Sequence, residues 1–246
     1  MIRSKRALLL VAALTLIVGL MLLFPARVAY RWAAPTQIAV SGIHGTVWSG
    51  TAEAISSNGV YLRDVSWRMK PLRLITGKAV YRVKASPASG FVEGDLGWTV
   101  GGSIVVSDLA ASLPLDALAG ALNITGLRGE ASLEVERLKV REGLPIIAEG
   151  TLQLNNLVVP RISRDSIGGY RAEFFTQDSG VTASIEDTDA VVDLAGSLQV
   201  HEDRSYQFLG QVVETPETPA NLKQQMKVLG SPNDRGQREL RLEGSL

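Results

Sequence analysis

Cysteine is absent from the 246 residues, which removes disulfides and thiolate metal sites. Histidine occurs only as His44 and His201, too few for a multi-histidine metal centre. Acidic residues are missing from the first 31 positions, which carry Arg3, Lys5, Arg6, Arg27 and Arg31. The rest of the chain then holds 20 basic and 25 acidic residues. That mild acidity argues against DNA or RNA as a partner, because nucleic-acid binding needs a basic face.

Charge is also missing from a long run near the start. "ALLLVAALTLIVGLMLLF", Ala7 to Phe24, has Thr15 as its one polar residue. As a helix it rises roughly 27 Å at about 1.5 Å per residue, close to the hydrocarbon thickness of a bilayer. A cleaved signal peptide has a shorter apolar core followed by small residues. Here Phe24, Pro25, Arg27 and Trp32 occupy the positions around the cut. The run therefore predicts an uncleaved anchor. The basic residues before it favour a cytoplasmic N-terminus, while Arg27 and Arg31 beyond it oppose that bias. The expected organisation is residues 1–6 cytoplasmic, 7–24 a single transmembrane anchor, 25–36 juxtamembrane, and 37–246 a periplasmic β-rich domain.

After Gln37 the chain alternates as strands do. "VYLRDVSWRM" (60–69), "KAVYRVKAS" (78–86), "RAEFFTQ" (171–177), "AVVDLAGSLQV" (190–200) and "RELRLEGSL" (238–246) are rich in β-branched and aromatic residues. Roughly a dozen strands follow from this patterning. Helices are scarce. "TPANLKQQMKVLGSP" (218–232) predicts one, with Thr218 as cap, Pro219 in the first turn, and Leu222, Met226 and Leu229 on one face. "PLDALAG" (114–120) predicts a shorter turn of helix.

An apolar-x-Gly-x-apolar pattern recurs around Gly45, Gly50, Gly77, Gly94, Gly102, Gly129, Gly150, Gly196, Gly210 and Gly244. Side chains alternate faces along a strand, so each glycine shares the face of its apolar neighbours. A glycine there weakens the strand unless it serves coiling, a bulge or a close backbone approach. Ending a hairpin is the other reading of any single copy. The set predicts a mostly β fold: an N-terminal single transmembrane helix, then a strongly twisted, coiled antiparallel sheet with one or two short helices. Trp48, Trp67 and Trp98 are expected to anchor its apolar concave face. Trp48, Gly45, Gly50, Trp67 and Gly77 are the structural or interaction candidates.

Catalytic signals are incomplete. "LITGKAV" (74–80) lacks the first glycine of a phosphate loop, and Ala79 follows Lys78 where a hydroxyl residue belongs. "VWSGTA" lacks the frame of a nucleophile elbow, and a Ser49–His44 pair would need an orienting acid. "IEDTDAVVD" (185–193) lacks the glycine and terminal glutamate of a calcium loop and reads as a polar hairpin. "NDRG" (233–236) reads as a hairpin turn. No cofactor, metal or enzymatic activity is expected.

"GIHGTVWSGTA" followed by "LRDVSWRMKPLRLITGKAVYRV" resembles the amino-terminal half of the type II secretion system protein N family. "GTLQLNNLVV" and the ending "KVLGSPNDRGQRELRLEGSL" continue the resemblance. It implies an accessory inner-membrane component that supports export of folded proteins across the outer membrane through protein contacts. Its partners would be the membrane and other secretion-system proteins. The family carries no catalytic residues to transfer. The glycine rhythm also resembles AsmA-like envelope proteins, which implies the alternative of a periplasmic lipid-binding or lipid-transfer module with an apolar β groove.

Overall fold

The computed structural model describes residues 2–33, 38–87, 89–177 and 180–245. The expected domain start at Gln37 and the copy of the glycine pattern that ends at Leu246 reach outside them. Helix α1 (Ile2–Leu22) carries the uncharged run. It stops two residues before Phe24, although Leu23 N–H still donates to the Gly19 carbonyl at 3.0 Å. Pro25 disfavours helical backbone in the residue before it, so Phe24 leaves the helix. Pro25 instead opens α2 (Ala26–Ala33), where its missing N–H costs nothing. Among the described residues no helix is long and apolar enough to cross a membrane.

Among the described residues fourteen strands follow: β1 (Ile38–Ser41), β2 (His44–Gly45), β3 (Ser49–Ser57), β4 (Val60–Met69), β5 (Lys78–Ser86), β6 (Phe91–Thr99), β7 (Ile104–Pro114), β8 (Arg128–Arg141), β9 (Leu144–Val158), β10 (Gly168–Gln177), β11 (Gly180–Ala190), β12 (Val192–His201), β13 (Ser205–Glu214) and β14 (Gln237–Ser245). They form one antiparallel sheet in which spatial order follows the chain from β3 to β14. Strands β1 and β2 share the outer edge of β3. Short connections favour this meander, since sequential antiparallel strands need only a turn between them. Helix α3 (Ala220–Met226) sits between β13 and β14.

Three of the bulges that break the ladder share one construction. Asp64–Val65 face Ala85, Asp108–Leu109 face Gly94, and Asn156–Leu157 face Gly129. The first residue of each pair has positive φ, at 49°, 49° and 51°. Aspartate and asparagine tolerate that left-handed conformation, and an extra residue there sharpens the local twist. Asp108→Gly should therefore leave the urea midpoint unchanged or raised. Asp108→Val should lower stability by about 1–2 kcal/mol, the cost of left-handed backbone in a β-branched residue. Equal midpoints for the two variants would remove the backbone explanation.

Burial is spread over three small clusters instead of one core. Ala52, Val65 and Ala85 form one with Trp67 against it; Leu115, Leu127 and Ala131 form the second; Val192, Val212, Leu222 and Met226 form the third. The helix expected at 218–232 supplies Leu222 and Met226 to the last of these, and Leu229 packs on it from a 3₁₀ turn. Thr218 does not cap it. Its hydroxyl donates to the Val191 carbonyl at 2.5 Å, and Pro219 holds the cap position. The residues 233–236 make the expected turn, with the Asn233 side chain accepting from Arg235 N–H and Gln237 N–H at 2.9 Å each. It leads from α3 into β14 and does not join two paired strands.

Trp98 is not a core anchor: it is 46% exposed and meets Tyr81 edge-on at 6.3 Å. It lies next to the end of β6, where the apolar face has run out of cover. Aromatics do fill the space left by several glycines. A side-chain carbon at Gly196 or Gly210 would stand 2.9 Å from the Phe208 ring, and one at Gly244 would stand 2.6 Å from the Tyr206 hydroxyl. An aromatic ring laid over a strand glycine restores the contact that the glycine lacks.

Candidate functional site

The stretch from His44 to Gly50 clips the N-terminal helices to the sheet. Gly45 and Gly50 pair across β2 and β3, and Thr46 closes the turn between them. Thr46 N–H donates to the Ser49 carbonyl at 2.9 Å, and its hydroxyl oxygen accepts from Trp48 N–H and Ser49 N–H at 3.3 and 3.2 Å. Gly45 needs its φ of +89° because β3 passes directly over it. The turn then points Trp48 away from the sheet. Its indole N–H donates to the Met21 carbonyl of α1 at 2.8 Å. Val47 N–H donates to the Phe24 carbonyl at 3.0 Å, and Pro25 bridges to Thr46. The Trp48 bond satisfies a carbonyl that the last turn of α1 leaves without an intrahelical donor.

Trp67 completes the junction from β4. It lies opposite Gly50, its ring covers that glycine, and its N–H donates to the Thr46 carbonyl at 3.1 Å. Four of the five candidates, Trp48, Gly45, Gly50 and Trp67, therefore meet at one place. Gly77 lies apart, at φ +69° at the end of the 3₁₀ turn Pro71–Thr76. The part of Tyr30 was not legible beforehand beyond its aromatic character. From α2 its hydroxyl donates to the Ile38 carbonyl at 2.8 Å and accepts from Val40 N–H at 3.1 Å, which covers the outer edge of β1.

The opposite face of β3–β6 is polar. His44, Thr51, Ser66, Arg68, Arg82 and Lys84 line a cleft of about 480 Å³. Below it Asp95 is buried and bonded to both Lys70 and Arg82. Burial raises the Asp95 pKa, but the hydrogen bonds from Arg82 and Lys70 outweigh it and hold the carboxyl below its ordinary range. Glu93 accepts from Lys84 at 2.9 Å and from Arg82 at 3.2 Å. His44 and Ser49 are exposed on this side. Among the described residues no group of His, Asp and Glu is disposed to hold a metal.

At the other sheet edge, beyond Gln237, which the turn at Asn233 holds, no strand pairs with the outer side of β14 among the described residues. This edge carries Leu242, half-exposed, and the exposed charges Glu239, Arg241 and Glu243. On the apolar face an open cavity of about 340 Å³ lies over β8–β12, lined by Leu133, Leu138, Ala148, Phe174, Val181 and Leu198 among others.

The family model for the type II secretion system (T2SS), protein N, matches residues 36–241. Three relatives span nearly the whole chain, and each is named type II secretion system protein N. One from Aeromonas hydrophila is 23% identical, covering 96% of this chain and 98% of its own length. One from Vibrio cholerae is 27% identical, covering 90% and 91%. One from Pectobacterium carotovorum is 24% identical, covering 95% of each. No solved structure matches the chain. By the extent of the family match, which spans the sheet from β1 into β14, the chain belongs to the type II secretion system protein N family.

Proposed function

We propose that this chain serves the type II secretion system by contact and not by turnover. It is an accessory component of that system by family. In our reading α1 holds it in the inner membrane with the N-terminus cytoplasmic, and the sheet lies in the periplasm. The observation that carries the contact mechanism is the outer edge of β14, with which no strand pairs among the described residues. An open edge offers unpaired N–H and C=O groups to a strand from another chain, and the other end of the sheet is closed by Tyr30. The bulges at Asp64, Asp108 and Asn156 are read as devices that coil the sheet and set the direction of that edge.

The apolar surface of α1 supports the anchor. Leu8, Leu9, Leu14, Leu16, Ile17 and Leu20 are all exposed, and they lie around the whole helix, not on one face. The apolar turns Ala7–Leu22 rise only ~24 Å, short of a hydrocarbon core of about 30 Å. Leu23 and Phe24 extend them, and local bilayer thinning accommodates a modest mismatch. Tethering sets the local concentration of the sheet and its partners. Trp48, Gly45, Gly50 and Trp67 then fix the attitude of the sheet to the anchor, and Gly77 shapes the neighbouring turn. The AsmA-like alternative draws nothing from the three relatives, all of which carry a secretion name.

Photocrosslinking in intact cells tests the reading. A crosslinker at Glu239 or Arg241 should capture a secretion-system protein, whereas one at Glu186 inside the sheet should not. Leu242→Lys should reduce export of a folded exoprotein at normal abundance, and deletion of residues 1–24 should abolish it. Full export in a normally abundant Leu242→Lys strain, with no product from β14 positions, would sink the edge mechanism.

A further inference from the structure

We propose that the end of the sheet beside α1 is a membrane-docking ledge. Its two turns, Pro71–Thr76 and Thr99–Ser103, seat in the interface of an anionic bilayer. This rests on α1 being the anchor. Leu72 is 78% exposed, Ile75 84% and Val100 92%, and Leu74, Trp98 and Ile104 are exposed beside them. Turns that face water are built from polar residues, and a contiguous exposed apolar patch marks a contact surface. These turns are also held as one unit. Gly77, with φ +69°, ends the first turn and accepts from Val100 N–H of the second at 3.3 Å.

Depth favours a bilayer. Leu74 and Pro71 share an apolar cleft of about 460 Å³ with Val18, Met21 and Leu22 of α1, and Trp48 closes it. The apolar surface of the helix therefore continues onto the ledge without a break. Val18 lies ~9 Å along the axis from Phe24. If Phe24 marks the membrane boundary, the ledge reaches a depth of about 5–10 Å, where interfacial segments settle.

Charge favours an anionic surface. No acid occurs between Asp64 and Glu93, a stretch with six basic residues. Lys70, Arg82 and Lys84 are paired with Asp95 and Glu93. Arg68, Arg73 and Lys78 make no ion pair among the described residues and rim the apolar tip. Anionic headgroups attract such residues within a Debye length of the surface. The distant turns at the same end have no such basic excess: Glu142, Glu202 and Asp203 stand there with Arg141 and Arg204. The sheet thus presents its basic, apolar corner to the membrane.

The absence of cysteine makes the test clean. The full-length protein is placed in nanodiscs containing anionic phospholipid, with one environment-sensitive fluorophore on Ile75→Cys, Val100→Cys, Gly143→Cys or Leu14→Cys. The Ile75 and Val100 probes should shift to the blue and lose most of their emission to acyl-chain spin-labelled lipid. The Gly143 probe, in the β8–β9 turn, should do neither. Adding Arg73→Glu and Lys78→Glu should return the Ile75 probe towards water. Leu14 reports α1 itself. A quenched Leu14 with Ile75 as water-exposed as Gly143 overturns the ledge, leaves the anchor standing, and assigns the patch to a protein partner. An unquenched Leu14 overturns both.

Discussion

Gly50→Val lowers the stability of the protein by about 3 kcal/mol, the upper end of what overpacking costs. A side chain at this position would overlap the carbonyl oxygen of His44 and the ring of Trp67 at once. Neither can give way cheaply. The oxygen belongs to the backbone of β2, which runs alongside β3 here. The ring is fixed by its N–H bond to the Thr46 carbonyl. Relief requires opening the turn that carries Trp48, so the link from the sheet to the Met21 carbonyl should loosen as well. Thermal unfolding of the full-length protein in detergent reads the first effect, and tryptophan emission reads the second. Gly101→Val is the control, since the nearest atom to its new side chain is Thr99 Oγ1 at 3.9 Å. A Gly50→Val midpoint no lower than that of Gly101→Val would reduce Gly50 to a loop residue.

Asp95→Ala should cost about 2–3 kcal/mol. Removing one partner of a buried ion pair strands the other, typically at about 3–5 kcal/mol. Here Lys70 and Arg82 are each about one-third exposed and can recruit water, which lowers the figure. Arg82 also lies directly opposite Arg68, a like-charge pair that Asp95 helps to offset. The pH dependence has a definite sign. The Asp95 carboxyl is held below its unfolded value, so the stability it contributes is present above that value, near pH 3.9, and is lost as pH falls through the folded one. Asp95→Asn should flatten that acid limb while weakening the protein at neutral pH. An acid limb of unchanged slope in Asp95→Asn would assign the acid sensitivity to other carboxylates.

Much of the site was visible one residue at a time and invisible as a constellation. Gly45, Trp48, Gly50 and Trp67 stood out as structural or interaction candidates, and the structure does bring those four together. Their spacing did not indicate that Trp48 faces the helix while Trp67 faces the sheet. Both are tryptophans in strand-like sequence, and the difference is made by the Thr46 turn, which rotates the chain between Gly45 and Ser49. The Asp95 cluster joins residues 25 and 13 positions apart. Its members fall together only once β4, β5 and β6 are in register, and alternation alone does not set register against a neighbour.

By itself the sequence determined the helix at the start, the β character of the rest, the short helix around Leu222 and Met226, and the family. Each follows from local periodicity, uninterrupted hydropathy or ordered short motifs, which act within a few residues. Only the tertiary structure decided that Trp98 is exposed, that Thr218 bonds Val191 instead of capping α3, and that Tyr30 covers one edge of the sheet while no strand pairs with the outer side of β14 among the described residues. The reason is common to all three. Periodicity tells a side chain which face of its strand it occupies, whereas exposure and edge protection depend on what distant segment arrives to cover that face.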